Sequence, residues 1–289
     1  MHHAYIKLAN PVMKFLTNMQ MLSTNVRIIL TSICISQILN LSAQDFEVAP
    51  VLVSFDANPG EIQNKALTIR NHSNRPQNFI LGLSDYLVNS EGGKKAQAAG
   101  STDRTLADWI TINPSLLELN PNESGTVELI MNVPRTGFNT RWGMVRVELA
   151  KEQEASQADK QLSTGVIIVP RIVVLVKQSP RSNLNYKGTV SDLREIENDQ
   201  SELKSFEATL TNTGDKILDA KVYLALANLE TAEEIQYTPT RIAVYPEQQR
   251  KVILSLPDEP DPGQYALAFL MDYGHKSAIE GAQILLTIE

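Results

Sequence analysis

The chain has 289 residues, yet it holds one cysteine, four histidines and two tryptophans. A lone cysteine, Cys34, can form no disulfide within the chain. Histidine, the side chain whose ordinary pKa lies nearest neutrality, is nearly missing. Beyond His2 and His3 there is only His72, in a turn beside Asn71 and Ser73, and His275, after a Tyr-Gly turn. No H-E-x-x-H, G-x-S-x-G, C-x-x-C or Walker loop occurs. Gly92-Gly93-Lys94-Lys95 lacks the second glycine spacing and the Ser/Thr of a phosphate loop, and reads as a flexible loop. Asp85, Asp103 and Asp108 lie in or near one loop without the ordered acidic repeat of a calcium site. A basic excess is lacking too. The net charge is −7, which argues against a nucleic-acid binder. These absences point away from an enzyme. They give no reason to expect a cofactor, a metal, a small-molecule substrate or a nucleic-acid partner.

What is present is globular. A composition that is 43% hydrophobic and 20% charged suits one or two domains with real cores. Residues 1–43 contain Lys7, Lys14 and Arg27 and no acid, followed by the apolar run Ile28–Leu41 and then Ser42-Ala43-Gln44. A charged start, a short apolar stretch and a small residue at the cut form the pattern of a secretory signal peptide cleaved near Ala43. The stretch before the apolar run is long, and Met19 or Met21 could be the true start. A membrane anchor is the other reading, but the apolar run falls short of the ~20 residues of a spanning helix. Cys34 follows Ile33, where a lipoprotein signal wants a small residue, so lipidation is not expected. Loss of three cations and no acids would take the net charge from −7 to −10 and remove the only cysteine.

From Phe46 onward the chain reads as short strands divided by turns. The expected strands of the first part are Phe46–Asp56, Lys65–Asn71, Gln77–Val88, the stretches WITINP and SLLELNPNE, Gly125–Pro134, Arg141–Ala150 and the closing Gly165–Gln178. Polar loops cover NSEGGKKAQAAGSTDR and Lys151–Thr164. QSPRS, Gln178–Ser182, reads as a linker stiffened by Pro180. The second part repeats the plan. Ser205–Asn228 matches KALTIRNHSNRPQNFILGL: each is an alternating strand, an Asn with turn residues, then another strand. Asn212–Asp215, NTGD, is a hairpin-turn signal. RIAVYPEQQRKVILSLP matches SLLELNPNESGTVELIMNVP, and PGQYALAFLMDYG matches RWGMVRVEL. The charged Ser191–Lys204 reads as a short helix or a solvated loop, with the loop preferred. Trp109 and Trp142 are expected to serve packing. The fold class expected is therefore all-β: two tandem immunoglobulin-like β-sandwiches after a signal peptide, over residues 1–43, 46–178 and 183–289.

GVIIVPRIVVLVKQ, Gly165–Gln178, is the most apolar run outside the N-terminal segment. Its β-branched residues favour a strand. Pro170 cannot donate to a ladder, which puts that strand at a sheet edge or at a bulge. Alternation divides it into one row of Val166, Ile168, Ile172, Val174 and Val176 and another of Ile167, Val169, Val173 and Leu175. One row would pack inward, and the other could serve a partner. An apolar strand serving only as core is the competing reading.

The stretches VSFDANPGEIQNKALTIRNHS, WITINPSLLELNPNESGTVELIM, NTRWGMVRVEL and GVIIVPRIVVLVK follow one another in an order and spacing that resembles the first domain of PapD-like periplasmic pilus-assembly chaperones, over about residues 46–178. The resemblance implies a periplasmic, ATP-independent chaperone that binds exported pilin-like, surface or outer-membrane proteins by β-strand addition. Its partner-binding residues would be Val166, Ile168, Arg171, Ile172, Val174 and Val176, on the last strand of the first domain. The family also holds the client's C-terminal carboxylate with two basic side chains. The matching positions here are Leu52 and about Val173, neither of them basic, with Arg171 two residues away. The alternative is a non-catalytic accessory subunit of an outer-membrane or secretion complex, using the same edge.

Overall fold

The computed structural model describes residues 45–150, 170–197, 203–274 and 279–289. The expected signal peptide and the loop Lys151–Thr164 lie outside them, as does His275. The described residues contain no helix. They form two immunoglobulin-like β-sandwiches.

The first sandwich holds β1 (Phe46–Ala49), β2 (Leu52–Phe55), β3 (Ile62–Asn71), β4 (Gln77–Val88), β5 (Lys94–Gln97), β6 (Ile110–Asn113), β7 (Leu116–Leu119), β8 (Ser124–Asn132), β9 (Arg141–Leu149) and β10 (Arg171–Gln178). One sheet runs β1-β3-β8-β6. The other runs β2-β10-β9-β4-β5, with β7 also on β4. The second sandwich holds β11 (Gly188–Ile196), β12 (Ser205–Asn212), β13 (Leu218–Asn228), β14 (Glu234–Gln236), β15 (Thr240–Val244), β16 (Gln249–Ser255), β17 (Gly263–Asp272) and β18 (Glu280–Ile288). Its sheets run β11-β12-β16 and β14-β13-β17-β18, with β15 on β13.

Period-2 alternation builds both cores. Leu67, Ile69, Val127, Leu129 and Met131 of one sheet meet Phe79, Val145, Val147 and Val174 of the other, all fully buried. Phe46 of β1 meets Phe79 of β4 edge to face, with ring centroids 5.1 Å apart, and so ties the two layers together. The second core centres on Phe206, Leu210, Leu224, Leu267, Phe269 and Met271.

The repeat seen in the sequence is repeated in the corners. Asn71 and Asn212 end β3 and β12 and are both buried. Asn71 Nδ2 donates to the carbonyls of Arg75 (2.8 Å) and Leu119 (3.0 Å). Asn212 Nδ2 donates to those of Lys216 (2.7 Å) and Val244 (2.8 Å). Each Oδ1 accepts the N–H two residues on, at 2.9 Å. A buried amide with donors and acceptor used fixes a turn that main-chain bonds alone would leave short of partners.

Four expectations are corrected. Phe46–Asp56 is two strands, not one: β1 pairs β3, and after Pro50 the chain crosses so that β2 pairs β10 in the opposite sheet. Pro50 supplies no N–H to a ladder, and the chain changes partners there. The glycine-lysine loop contains β5, paired to β4 at Asp85–Val88. Gln178 belongs to β10 and is fully buried, its Nε2 donating to Ala57 O at 2.6 Å, so the linker begins after it. The first part of the charged stretch, Ser191–Ile196, belongs to strand β11. It pairs β12 through a register shift between Ser191 and Arg194, with Asp192 at φ 55°. A strand at a sheet edge keeps one side wet, so charge does not forbid it.

Candidate functional site

The geometry of the site follows from the crossover at Pro50. β2 runs parallel to β10, but only Leu175–Gln178 have partners, Leu52–Phe55. On its other side β10 pairs antiparallel with β9 along its whole length, from Arg171↔Glu148 to Gln178↔Arg141. No strand among the described residues pairs with Arg171–Val174 on the β2 side. Leu175 N donates to Val51 O at 2.9 Å, which shows which main-chain groups point toward β2. Strand alternation therefore aims the N–H and C=O of Val173 and Arg171 at the same open edge.

The inward row of β10 is consumed by the core. Val174 and Val176 are 0% and 1% exposed, and Ile172 is half-buried against the same cluster. This corrects the expectation that Ile172, Val174 and Val176 serve a partner with their side chains. They face inward because their Cα neighbours Val147, Val145 and Gly143 lie on the same face of the sheet, and Val145 and Val147 are core. The outward row is Arg171, Val173, Leu175 and Lys177. Val173 is 37% exposed. Val166 and Ile168 lie outside the described residues.

The outward face carries a small charge network. Glu148 Oε1 forms ion pairs with Arg171 Nε at 2.8 Å and with Arg146 Nη1 at 3.3 Å. Arg171 is thus half-exposed and ion-paired. Beside it, Val173 has Arg146 as Cα partner, and Leu175 has Met144. Leu52 and Val51 complete an apolar rim, 52% and 61% exposed.

The same face is capped at its other end by the second sandwich. Tyr86, Trp142, Met144 and Tyr245 form a small core of their own, with Leu175, Val88, Ile217 and Ala243 packed against it. The hydroxyls of Tyr86 and Tyr245 are hydrogen-bonded at 2.9 Å, and Trp142 Nε1 donates to Tyr86 O at 3.2 Å. Burial pushes both tyrosines above their ordinary range. Nearby, Arg104 pairs with Asp215 and with Glu247 (2.6 Å), and Nη1 donates to Thr140 O (3.1 Å). Burial works against the Arg104 charge, and the two carboxylates more than offset it. Asp215 also accepts from Thr140 N and from Asn183 Nδ2, at 2.9 and 2.5 Å. On the far side Lys251 N donates to Ser90 O at 2.8 Å, and Gln248 Nε2 to Asn89 O at 2.6 Å. Gly92 sits there at φ 84°, so close to the Arg250 guanidinium that a Cβ would lie 2.5 Å from Nη2. Glycine suits both demands.

None of these contacts between sandwiches was foreseen. Tyr86 and Tyr245 are 159 positions apart, and Arg104 and Asp215 are 111. No local pattern links them. Trp109 joins the first core, with Arg141 4.3 Å over its ring, and Trp142 joins the contact between sandwiches. Asp85 is buried and holds its own loop, accepting from Thr102 N, Thr102 Oγ1 and Thr105 Oγ1 at 3.0, 3.1 and 2.7 Å. Among the described residues no group of three or more His, Cys, Asp or Glu is placed to hold a metal ion.

No protein-family model matches the chain, and no curated protein matches it. Solved structures do. A chain of the chaperone–tip adhesin complex of CFA/I fimbriae biogenesis is 13% identical, with 84% of this chain and 98% of that one covered, at a TM-score of 0.45. The class 5 fimbriae chaperone CfaA is 12% identical, over 84% of this chain and all of that one, at 0.44. The CsuC–CsuE chaperone–tip adhesion subunit pre-assembly complex of Acinetobacter baumannii has a chain 14% identical, over 73% of this chain and 90% of that one, at 0.39.

Proposed function

We propose that this chain is an ATP-independent periplasmic chaperone that binds exported pilin-like, surface or outer-membrane polypeptides by β-strand addition along the free edge of β10. The observation carrying this is that edge. Arg171–Val174 have β9 on one side and, among the described residues, no strand on the other. An open, apolar edge is an aggregation liability that folded proteins ordinarily cover or charge. Here it is retained beside an apolar rim. An added strand would gain main-chain bonds from Val173 and Arg171, and one row of its side chains would lie over the outward face near Val173. The close packing of the two sandwiches around Tyr86 and Tyr245 covers the neighbouring half of the same face, over Leu175.

The test is a photo-crosslinker at Val173, in the chain expressed in a bacterial envelope, with Val174 as the buried control. Varied, short-lived adducts with exported proteins are the expected result. A single constant adduct from membrane material would make the chain a fixed accessory subunit. No adduct at Val173, with adducts at other surface positions, would sink the strand-addition reading.

A further inference from the structure

The free stretch of β10 has an end as well as an edge. β2 occupies the same side of β10 from Leu52 onward, so a strand added along Arg171–Val174 would lie end to end with β2. Its terminal residue would arrive beside Val51, Leu52 and Val173, all exposed. Leu52 and Val173 share the outward face, because Leu52 stands opposite Leu175 in parallel register and Val173 is two residues from Leu175. The cations flanking Val173 on that face, Arg146 and Arg171, are both engaged by Glu148. Lys177 also faces outward, but it lies four residues beyond Val173, about 13 Å along the strand.

Resting on the strand-addition reading above, we propose that Val51, Leu52 and Val173 form a ledge that receives a nonpolar side chain at the end of the added strand. Recognition there reads an apolar residue and not the charge of a chain terminus. A charged end arriving at this ledge would shed water without gaining a partner, while a leucine or valine would bury apolar surface.

The probes are fluorescein-labelled ten-residue peptides of alternating valine and threonine, titrated into the purified full chain by anisotropy. Each ends in leucine as a free acid, leucine as an amide, or lysine as an amide. A second set carries the varied residue at the N-terminus, with the leucine amine free or acetylated and the lysine acetylated, because either strand direction suits an open edge. At the end that meets the ledge, the charged and capped leucine forms should bind within about twofold of each other, and the lysine form about tenfold more weakly. Leu52→Asp should weaken the leucine forms by about tenfold and erase their advantage over lysine. Leu52 is exposed, and circular dichroism of the variant checks that it still folds. A free acid or free amine bound about tenfold tighter than its capped form would overturn the proposal. So would affinity indifferent to the end residue. A photo-crosslinker at Val173 separates the two failures. Crosslinking without any preference for the end removes the ledge and leaves the edge, whereas no crosslinking removes both.

Discussion

The two halves of β10 differ in how many sides are covered. Leu175–Gln178 has the core beneath it, β9 on one edge, β2 on the other, and the Tyr86–Trp142–Met144–Tyr245 cluster over Leu175. Arg171–Val174 has the core beneath and β9 on one edge, and nothing described on the remaining edge. Both halves alternate inward and outward residues, Ile172 and Val174 facing in along the first and Val176 and Gln178 along the second. The difference comes from β2, which Pro50 delivers to the sheet only at Leu52. Exposure of an apolar strand is therefore decided by the length of its neighbour and not by its own sequence.

The largest effects should come from confusing the two rows. Val174→Asp would put an unpaired carboxylate at a site with no exposure, and should cost several kcal/mol or prevent folding. Val173→Asp, one residue away and outward, should change stability by less than about 0.5 kcal/mol while weakening capture of the valine–threonine peptides at the edge, as read by anisotropy. Urea denaturation of both variants, with their m-values, checks the first part. Equal destabilisation by the two would mean that the alternation is misassigned.

Next in size is the support behind the covered half. Arg104→Ala leaves Asp215, 16% exposed, without its cation but still bonded to Thr140 N and Asn183. The expected loss is about 1–3 kcal/mol, with small-angle scattering showing a wider spread of arrangements of the two sandwiches. The tyrosine pair behaves differently. Tyr245→Phe strands the Tyr86 hydroxyl and should cost about 1–3 kcal/mol, while Tyr86→Phe with Tyr245→Phe removes both partners and should be near neutral. The pair also sets an alkaline limit. Burial holds both tyrosines above the ordinary value of 10.0, so the folded chain keeps the protons that the unfolded chain gives up. Their contribution is fully present below about pH 10 and is lost as pH rises beyond it. The double phenylalanine variant should lose stability less steeply there, as thermal melts between pH 9 and 11 would record.

The sandwich architecture, and the repeat of its corners at Asn71 and Asn212, were legible because they depend on local pattern: alternation of period two, turn residues, and an Asn after a strand. The apolar strand after Pro170 was legible for the same reason. Its facing was not. Periodicity divides Ile172, Val174 and Val176 from Val173 and Leu175, but the partner strand decides which row is inward, and Val145 and Val147 are far away in sequence. The break at Pro50 was written in the sequence as a proline inside a run. One continuous strand is nonetheless the expected reading, because both halves are apolar. The Arg104–Asp215 and Tyr86–Tyr245 contacts were illegible, since nothing in either neighbourhood specifies its counterpart.

The smallest expected effect sharpens the contrast at the open half. Glu148 holds Arg171 and Arg146, which are 50% and 34% exposed, so water already screens both pairs. Glu148→Gln should therefore change stability by no more than about 0.5 kcal/mol. Its effect on binding should be qualitative. With Glu148 present, the guanidiniums beside Val173 are matched, and capture of an uncharged strand should be nearly flat between 50 and 500 mM salt. With Gln in its place, two unmatched cations flank the edge, and acid-ended peptides should gain an affinity that falls as salt rises. If the wild-type chain already shows that salt dependence, the arginines are available despite Glu148, and the open half of β10 is an electrostatic site as much as an apolar one.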